Sequence, residues 1–210
     1  MTKYKKKILN VGLILDNPDN ISFLTNELVN LSKSQSNYKI KTIFINQTFR
    51  NNYSNILSRI NNYIKRRGWL KFVNHATFSF IIFFEELFLK TFSKYKLIFK
   101  SFCIKDESFE FVKIKPNVSK SGLYYSYNST EINKILKSNV DVLIRCGHGI
   151  LKGEILNCTK HGVLSYHHGD NNVFRGGPPG FWEVYYKHHK SGFIIQKLNE
   201  ELDGGEVLFK

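Results

Sequence analysis

The chain is short of cysteine, proline and acidic residues, and each shortage removes a class of protein. Three cysteines in 210 residues, Cys103, Cys146 and Cys158, form no CxxC pair and leave an odd count. That excludes a disulfide framework and reads as reduced cytosolic thiols packed as small hydrophobes. With four prolines, 42% hydrophobic and 15% aromatic residues, the composition is globular and the chain long enough to bury a core. The loop after the first apolar run has neither GxGxxG nor a Walker lysine, so a phosphate-cradling loop has no support there. No uninterrupted membrane span is present: HATFSFIIFFEELFLKTF is broken by Glu85 and Glu86. It reads as an amphipathic or core helix, with a helix lying on a membrane surface as the alternative. The lysines at the start precede only a short strand-like run, ILNVGLIL, rather than a secretory signal. A cytoplasmic protein is expected.

Acidic residues are scarce in one part only. The net charge is +14, and residues 1 to 138 carry all of it, with 23 Lys or Arg against 9 Asp or Glu. Residues 139 to 210 hold 8 of each and are neutral. A basic half steers anionic substrates or nucleic acid. The lysines are nevertheless scattered among Asn, Ile, Phe and Tyr with one dense patch, IKRRGW, so nucleic acid is not the expected partner.

The pattern along the chain is that of an α/β protein. Residues 8 to 15 read as a strand ending at DNPDN, where Asp19 or Asn20 caps a helix near 21 to 33. KIKTIFIN, 39 to 46, is a β-branched second strand, which completes a βαβ opening. Residues 51 to 105 read as a helical, aromatic-rich insertion within a single domain spanning 1 to 210. STEINKILKSN is a capped amphipathic helix starting at Ser129 or Thr130, and VDVLIRC a buried strand broken by GHG. ILKGEILNCTKHG reads as a helix ending at Gly162. GVLSYH, GFIIQKL and EVLFK follow as strands, with a Pro-started helix PPGFWEVYYKHHK between the first two. The expected fold is an open, mostly parallel Rossmann-like sheet in three layers, with polar clusters just past the strand ends.

One such cluster is SYHHGDNNVFRGG, Ser165 to Gly177. Its histidines and aspartate suggest a metal site, but adjacent residues at a strand end point to opposite faces. His167 and His168 are therefore poorly placed to share an ion, and no metal is expected. A Ser165–His167–Asp203 nucleophile is the second reading, but nothing like GxSxG surrounds Ser165. Singly, each residue also has a structural explanation, such as an Asx-turn at Asp170.

Taken together, the spacings resemble those of the folate-dependent formyltransferase family, whose members act on methionyl-tRNA, glycinamide ribonucleotide or amino sugars. That family carries Asn-x-His at a strand end, Arg-Gly eight residues later and an Asp-x-Gly turn about 36 residues later. Here the matching residues are His167, Arg175 with Gly176, and Asp203 with Gly205. Pro179 and Trp182 match a Pro-x-x-Trp frequent in the amino-sugar branch, and DVLIRCGHGIL matches the strand and loop that hold the pterin. The resemblance covers 139 to 210 well, and 8 to 46 only as a generic first βαβ unit.

The resemblance implies formyl transfer from 10-formyltetrahydrofolate, as co-substrate, to a primary amine through a tetrahedral intermediate. His167 would donate to the oxyanion, and Asp203 would orient it or relay the proton. Gly149, Ile150, Leu151 and Leu202 would line the pterin pocket, and Asn171, Arg175, Gly176 and Trp182 the acceptor side. An amino-sugar nucleotide is the expected acceptor. Methionyl-tRNA or another small amine is the alternative enzyme reading, and a catalytically silent binding domain the other. The chain departs from the family at Ser165, which stands where the family has asparagine. A serine hydroxyl is shorter and needs a bridging water to reach as far; Asn171 or Asn172 is the nearest source of an amide. Its end at Lys210, seven residues after Asp203, reads as a truncation relative to the family and against a tRNA acceptor.

Overall fold

A computed structural model describes residues 8–34, 37–48, 56–170, 180–202 and 204–210. The chain divides into two compact units, one of residues 1–48 and 103–210 and one of residues 49–102.

In the first unit, β1 (Leu9–Leu15), α1 (Phe23–Ser34) and β2 (Tyr38–Asn46) form the opening βαβ unit. The helix is capped by Ser22, whose Oγ accepts from the Thr25 amide at 3.2 Å, and not by Asp19 or Asn20. Asp19 instead donates its amide to the Asn17 side chain in the turn. Strands β3 (Glu110–Ile114), β6 (Val142–Arg145), β8 (Val163–His168), β9 (Phe193–Lys197) and β10 (Glu206–Phe209) complete the main sheet. Its order is β10-β9-β8-β6-β1-β2-β3. All neighbours from β8 to β3 pair in parallel, and β9 alone runs against both of its partners. The expected α/β, mostly parallel sheet is thus the one observed.

Buried-type strands supply the core because both faces of a parallel sheet are covered. Leu13, Ile43, Phe44, Leu143 and Val163 are fully buried, and Ile132 and Ile135 of α5 (Ser129–Lys137) pack into one cluster with Phe44, Leu143 and Val163. The α5 cap sits one residue earlier than expected: Asn128 accepts from the Glu131 amide at 3.0 Å. Asn128 is one of the preferred N-cap residues, so Asn128→Ala is expected to lower unfolding free energy by about 1 kcal/mol, measured by urea denaturation.

Residues 150–162 are not a helix. Ile150 and Leu151 form β7, which pairs in parallel with β5 (Tyr124–Ser126), itself antiparallel to β4 (Asn117–Val118). Gly153, at φ +80°, then opens only a short 3-10 helix, Gly153–Asn157. The sheet pairing takes the first two residues of the expected helix, and the glycine breaks its backbone. α6 is confined to Phe181–Tyr185. The prolines expected to start it, Pro178 and Pro179, lie outside the described residues.

The second unit holds α2 (Ile56–Arg67), α3 (Trp69–Leu89) and α4 (Ser93–Lys96). Tyr63 of α2 stacks on His75 of α3 at 5.4 Å between ring centres and meets the Phe72 ring edge-on at 6.2 Å. No residue of α3 is buried.

Candidate active site

The pleat of β8 decides which of its side chains meet. Val163, Ser165 and His167 share one face, and Leu164, Tyr166 and His168 share the other. Ser165 is 2% exposed and lies opposite Gln196 of β9, also buried. On the other face the Tyr166 hydroxyl lies 2.8 Å from His168 Nδ1, with the two rings edge to face at 4.5 Å. Loss of hydration, and then the nearby His167, hold His168 below the usual histidine pKa. The two histidines diverge, as their adjacency in a strand requires. Among the described residues no group of three or more His, Cys, Asp or Glu is placed to hold a metal ion.

A cleft of about 60 Å³ opens at the carboxyl end of β8. Arg145, Ile150, Leu151, Ser165, Tyr166 and His167 line it, facing Gln196, Leu198, Asn199, Glu201, Leu202 and Gly205. Six of the residues singled out from the sequence therefore meet here: Ser165, His167, Ile150, Leu151, Leu202 and Gly205. Gly149 is close in sequence but is not part of the lining. It sits at φ +83°, and a Cβ there would lie 2.8 Å from the Tyr125 ring, so glycine is required by the turn. Trp182 stands apart on α6, in a ring cluster with Phe181, Tyr185 and Tyr186. Asn171, Arg175, Gly176 and Asp203 lie outside the described residues. Leu202 and Gly205, on either side of Asp203 in the chain, both line the cleft.

Arg145 escaped the sequence reading. It ends β6 in register with Ser165, and its Nη1 donates to Ser165 Oγ at 3.2 Å. A permanently charged fork thus stands behind the short hydroxyl. Its signal was visible as a charge closing the apolar run VLI, Val142 to Ile144.

A second cluster gathers at the same edge of the sheet, past β1, β2 and β6. Asp16 Oδ2 accepts from the backbone N–H of His148 at 2.6 Å and lies 2.7 Å from its Nδ1. A backbone amide only donates, so Oδ2 is an acceptor; the neighbouring Nδ1 donates to it too, which turns Nε2 outward. Asn46 Nδ2 donates to Asp16 Oδ1 at 3.1 Å, and the buried Tyr127 hydroxyl donates to Asn46 Oδ1 at 2.6 Å. Burial, followed by the Asp16 charge, holds the Tyr127 phenol well above its usual range. Asp16 and His148 are 132 residues apart, which is why this cluster has no local sequence signature.

The thiols of Cys146 and Cys158 are pushed up to about 11 by burial, and Cys158 packs against the core. They behave as small hydrophobes, as expected. A larger open hollow of about 500 Å³ lies between α5 and the 3-10 helix. None of the catalytic or binding residues expected from the sequence lines it.

No family model matches the chain. Its sequence is similar to methionyl-tRNA formyltransferase of Bacillus subtilis, with 31% identity over 81 residues, 38% of this chain and 26% of that protein. The corresponding protein of Rickettsia felis is 32% identical over 84 residues, 40% of this chain and 28% of that protein. The chain thus spans about a quarter of the length of the curated relatives it matches. Among solved structures, glycinamide ribonucleotide transformylase 1 of Symbiobacterium toebii superposes with a TM-score of 0.52. That match covers 96% of this chain and 71% of the other at 10% identity, so it speaks to the fold.

The sheet order and the cleft at its carboxyl edge define an α/β domain of the formyltransferase fold. Over 81 to 84 residues the sequence is also similar to methionyl-tRNA formyltransferases, in line with the family resemblance read from the sequence.

Proposed function

We propose that the chain transfers a formyl group from 10-formyltetrahydrofolate to a primary amine, and that an amino-sugar nucleotide is the acceptor. The observation that carries this reading is the single cleft in which His167, Ser165 backed by Arg145, and the apolar residues Ile150, Leu151 and Leu202 converge. About 60 Å³ is the space of roughly two water molecules, enough for a one-carbon group. The folate ring system would lie across the apolar rim, where Leu202 is 56% exposed.

Attack of the amine turns the formyl oxygen into an oxyanion. His167 donates a hydrogen bond to it, and Arg145, which lines the same cleft, adds positive charge beside Ser165, where the family has an asparagine. Asp203 orients His167 or relays the proton lost by the amine to the folate nitrogen, whose bond to the formyl carbon breaks as the intermediate collapses and tetrahydrofolate leaves. The exposed Nε2 of His148, fixed by Asp16, offers a second proton acceptor at the same sheet edge. Asn171, Arg175, Gly176 and Trp182 are assigned to the acceptor. Exposed rings beside Trp182, those of Phe181, Tyr185 and Tyr186, give a platform suited to a sugar or a nucleobase, which favours the nucleotide sugar. The sequence relatives favour methionyl-tRNA as the second reading. Three free thiols suit a cytoplasmic setting.

The test is to incubate purified protein with 10-formyltetrahydrofolate and a panel of nucleotide amino sugars and methionyl-tRNA, and to follow release of tetrahydrofolate. Turnover with an amino sugar is expected. Turnover with the tRNA alone would move the acceptor to the second reading, and none with any amine would overturn the enzyme reading. Arg145→Met, which keeps length and removes charge, is expected to lower kcat about 10- to 100-fold in the same assay.

A further inference from the structure

We propose that α3 and its basic flanks dock the chain onto a lipid surface rich in anionic headgroups. The helix runs 21 residues without burying one of them. Trp69, Val73, Ala76, Phe80, Phe83 and Leu87 recur at alternating steps of four and three and so form one continuous face. Trp69, Phe80, Phe83 and Leu87 on that face are each more than half exposed. Lys71, His75, Glu85 and Glu86 lie on the opposite side, and Glu86 pairs with Lys90 at 2.6 Å.

Length and apolar composition alone would let α3 cross a membrane. The far side also carries Phe78, Ile82 and Leu89, but its charges, Lys71, Glu85 and Glu86, favour a helix lying in the interface with the Trp69–Leu87 face down and those charges toward water. A core helix of a soluble protein passes the same test of length and composition, but it is buried, whereas this one is not.

The choice of a lipid occupant over a protein partner rests on charge. Residues 56 to 102 contain nine Lys or Arg against two Glu. Lys65, Arg67 and Lys71 stand at the start of α3, and Lys90, Lys94, Lys96 and Lys100 follow its end. Protein interfaces are depleted in lysine, whereas an anionic bilayer is attracted by it. A tryptophan at the edge of a Phe-rich face also suits the boundary between headgroups and acyl chains.

Co-sedimentation of the full chain with phosphatidylcholine vesicles, with and without phosphatidylglycerol, tests the proposal. Binding is expected only with the anionic lipid, and it is expected to fall as salt rises. Phe80→Asp with Phe83→Asp is expected to weaken it by about tenfold per phenylalanine, with circular dichroism checking the fold. A second readout leaves the apolar face unaltered. In a Trp182→Phe background, bromine-labelled acyl chains are expected to quench the remaining tryptophan, Trp69. No anionic-vesicle binding, or no quenching, would overturn the proposal. A stable dimer in sedimentation that the paired substitution disperses, without vesicle binding, would assign the face to a second copy of the chain instead.

Discussion

His167→Ala is expected to lower kcat for tetrahydrofolate release by about 10²- to 10³-fold, with the KM for the folate little changed. The magnitude follows from what the side chain does in the proposed reaction. A donor aimed at the developing oxyanion acts mainly in the transition state, so its loss falls on kcat rather than on binding. The position supports the expectation: His167 lines the cleft beside Ser165, opposite the β9 strand that holds it in register. His168→Ala is the control, because its side chain lies on the other face of β8 and is not part of the cleft lining. Equal losses for the two variants would contradict the assignment.

The second large effect concerns stability. Phe44→Ala is expected to cost about 3–5 kcal/mol, read from the midpoint of urea unfolding. Phe44 is fully buried in the cluster with Ile14, Ile114 and Leu143. The opposing strand makes room for its ring with a glycine: a Cβ on Gly12 would lie 2.7 Å from Phe44 Cε2 and 2.8 Å from Leu143 Cδ2. Gly12→Ala is therefore destabilising on its own, by overpacking. Combined with Phe44→Ala, the added methyl partly fills the cavity, so the double variant should be less destabilised than the sum of the two. Additive losses would show that the two positions do not share this space.

Much of this sheet was legible in the sequence because its strands are buried runs. β1, β2, β6, β8 and β9 announce themselves through short stretches rich in β-branched or apolar residues. β3 to β5 were not read as strands. β4 has only Asn117 and Val118, both exposed, and β3 buries only Ile114 fully, so neither carries a period. The cleft was half legible for a similar reason. Ser165 and His167 lie two apart on one strand, and Ile150, Leu151 and Leu202 came from the family resemblance. Arg145 and the Asp16–His148 pair depend on strand order and register, which no single stretch of sequence encodes. α3 was read as a core or amphipathic helix, and that it buries none of its residues became visible only in the structure.

The register of β8 against β9 has a consequence for how this chain can change over time. Ser165 and His167 are opposite Gln196 and Ile194, and both β9 residues are buried. A single-residue insertion or deletion between Val163 and His167 would exchange the faces of the strand and turn the His167 side chain to the face that now holds His168. Substitution in β8 therefore adjusts the site one side chain at a time, as the serine at 165 illustrates. A change of length there removes the site in one step. Variation in length among related chains is accordingly expected in the connections between strands and not within the six residues of β8.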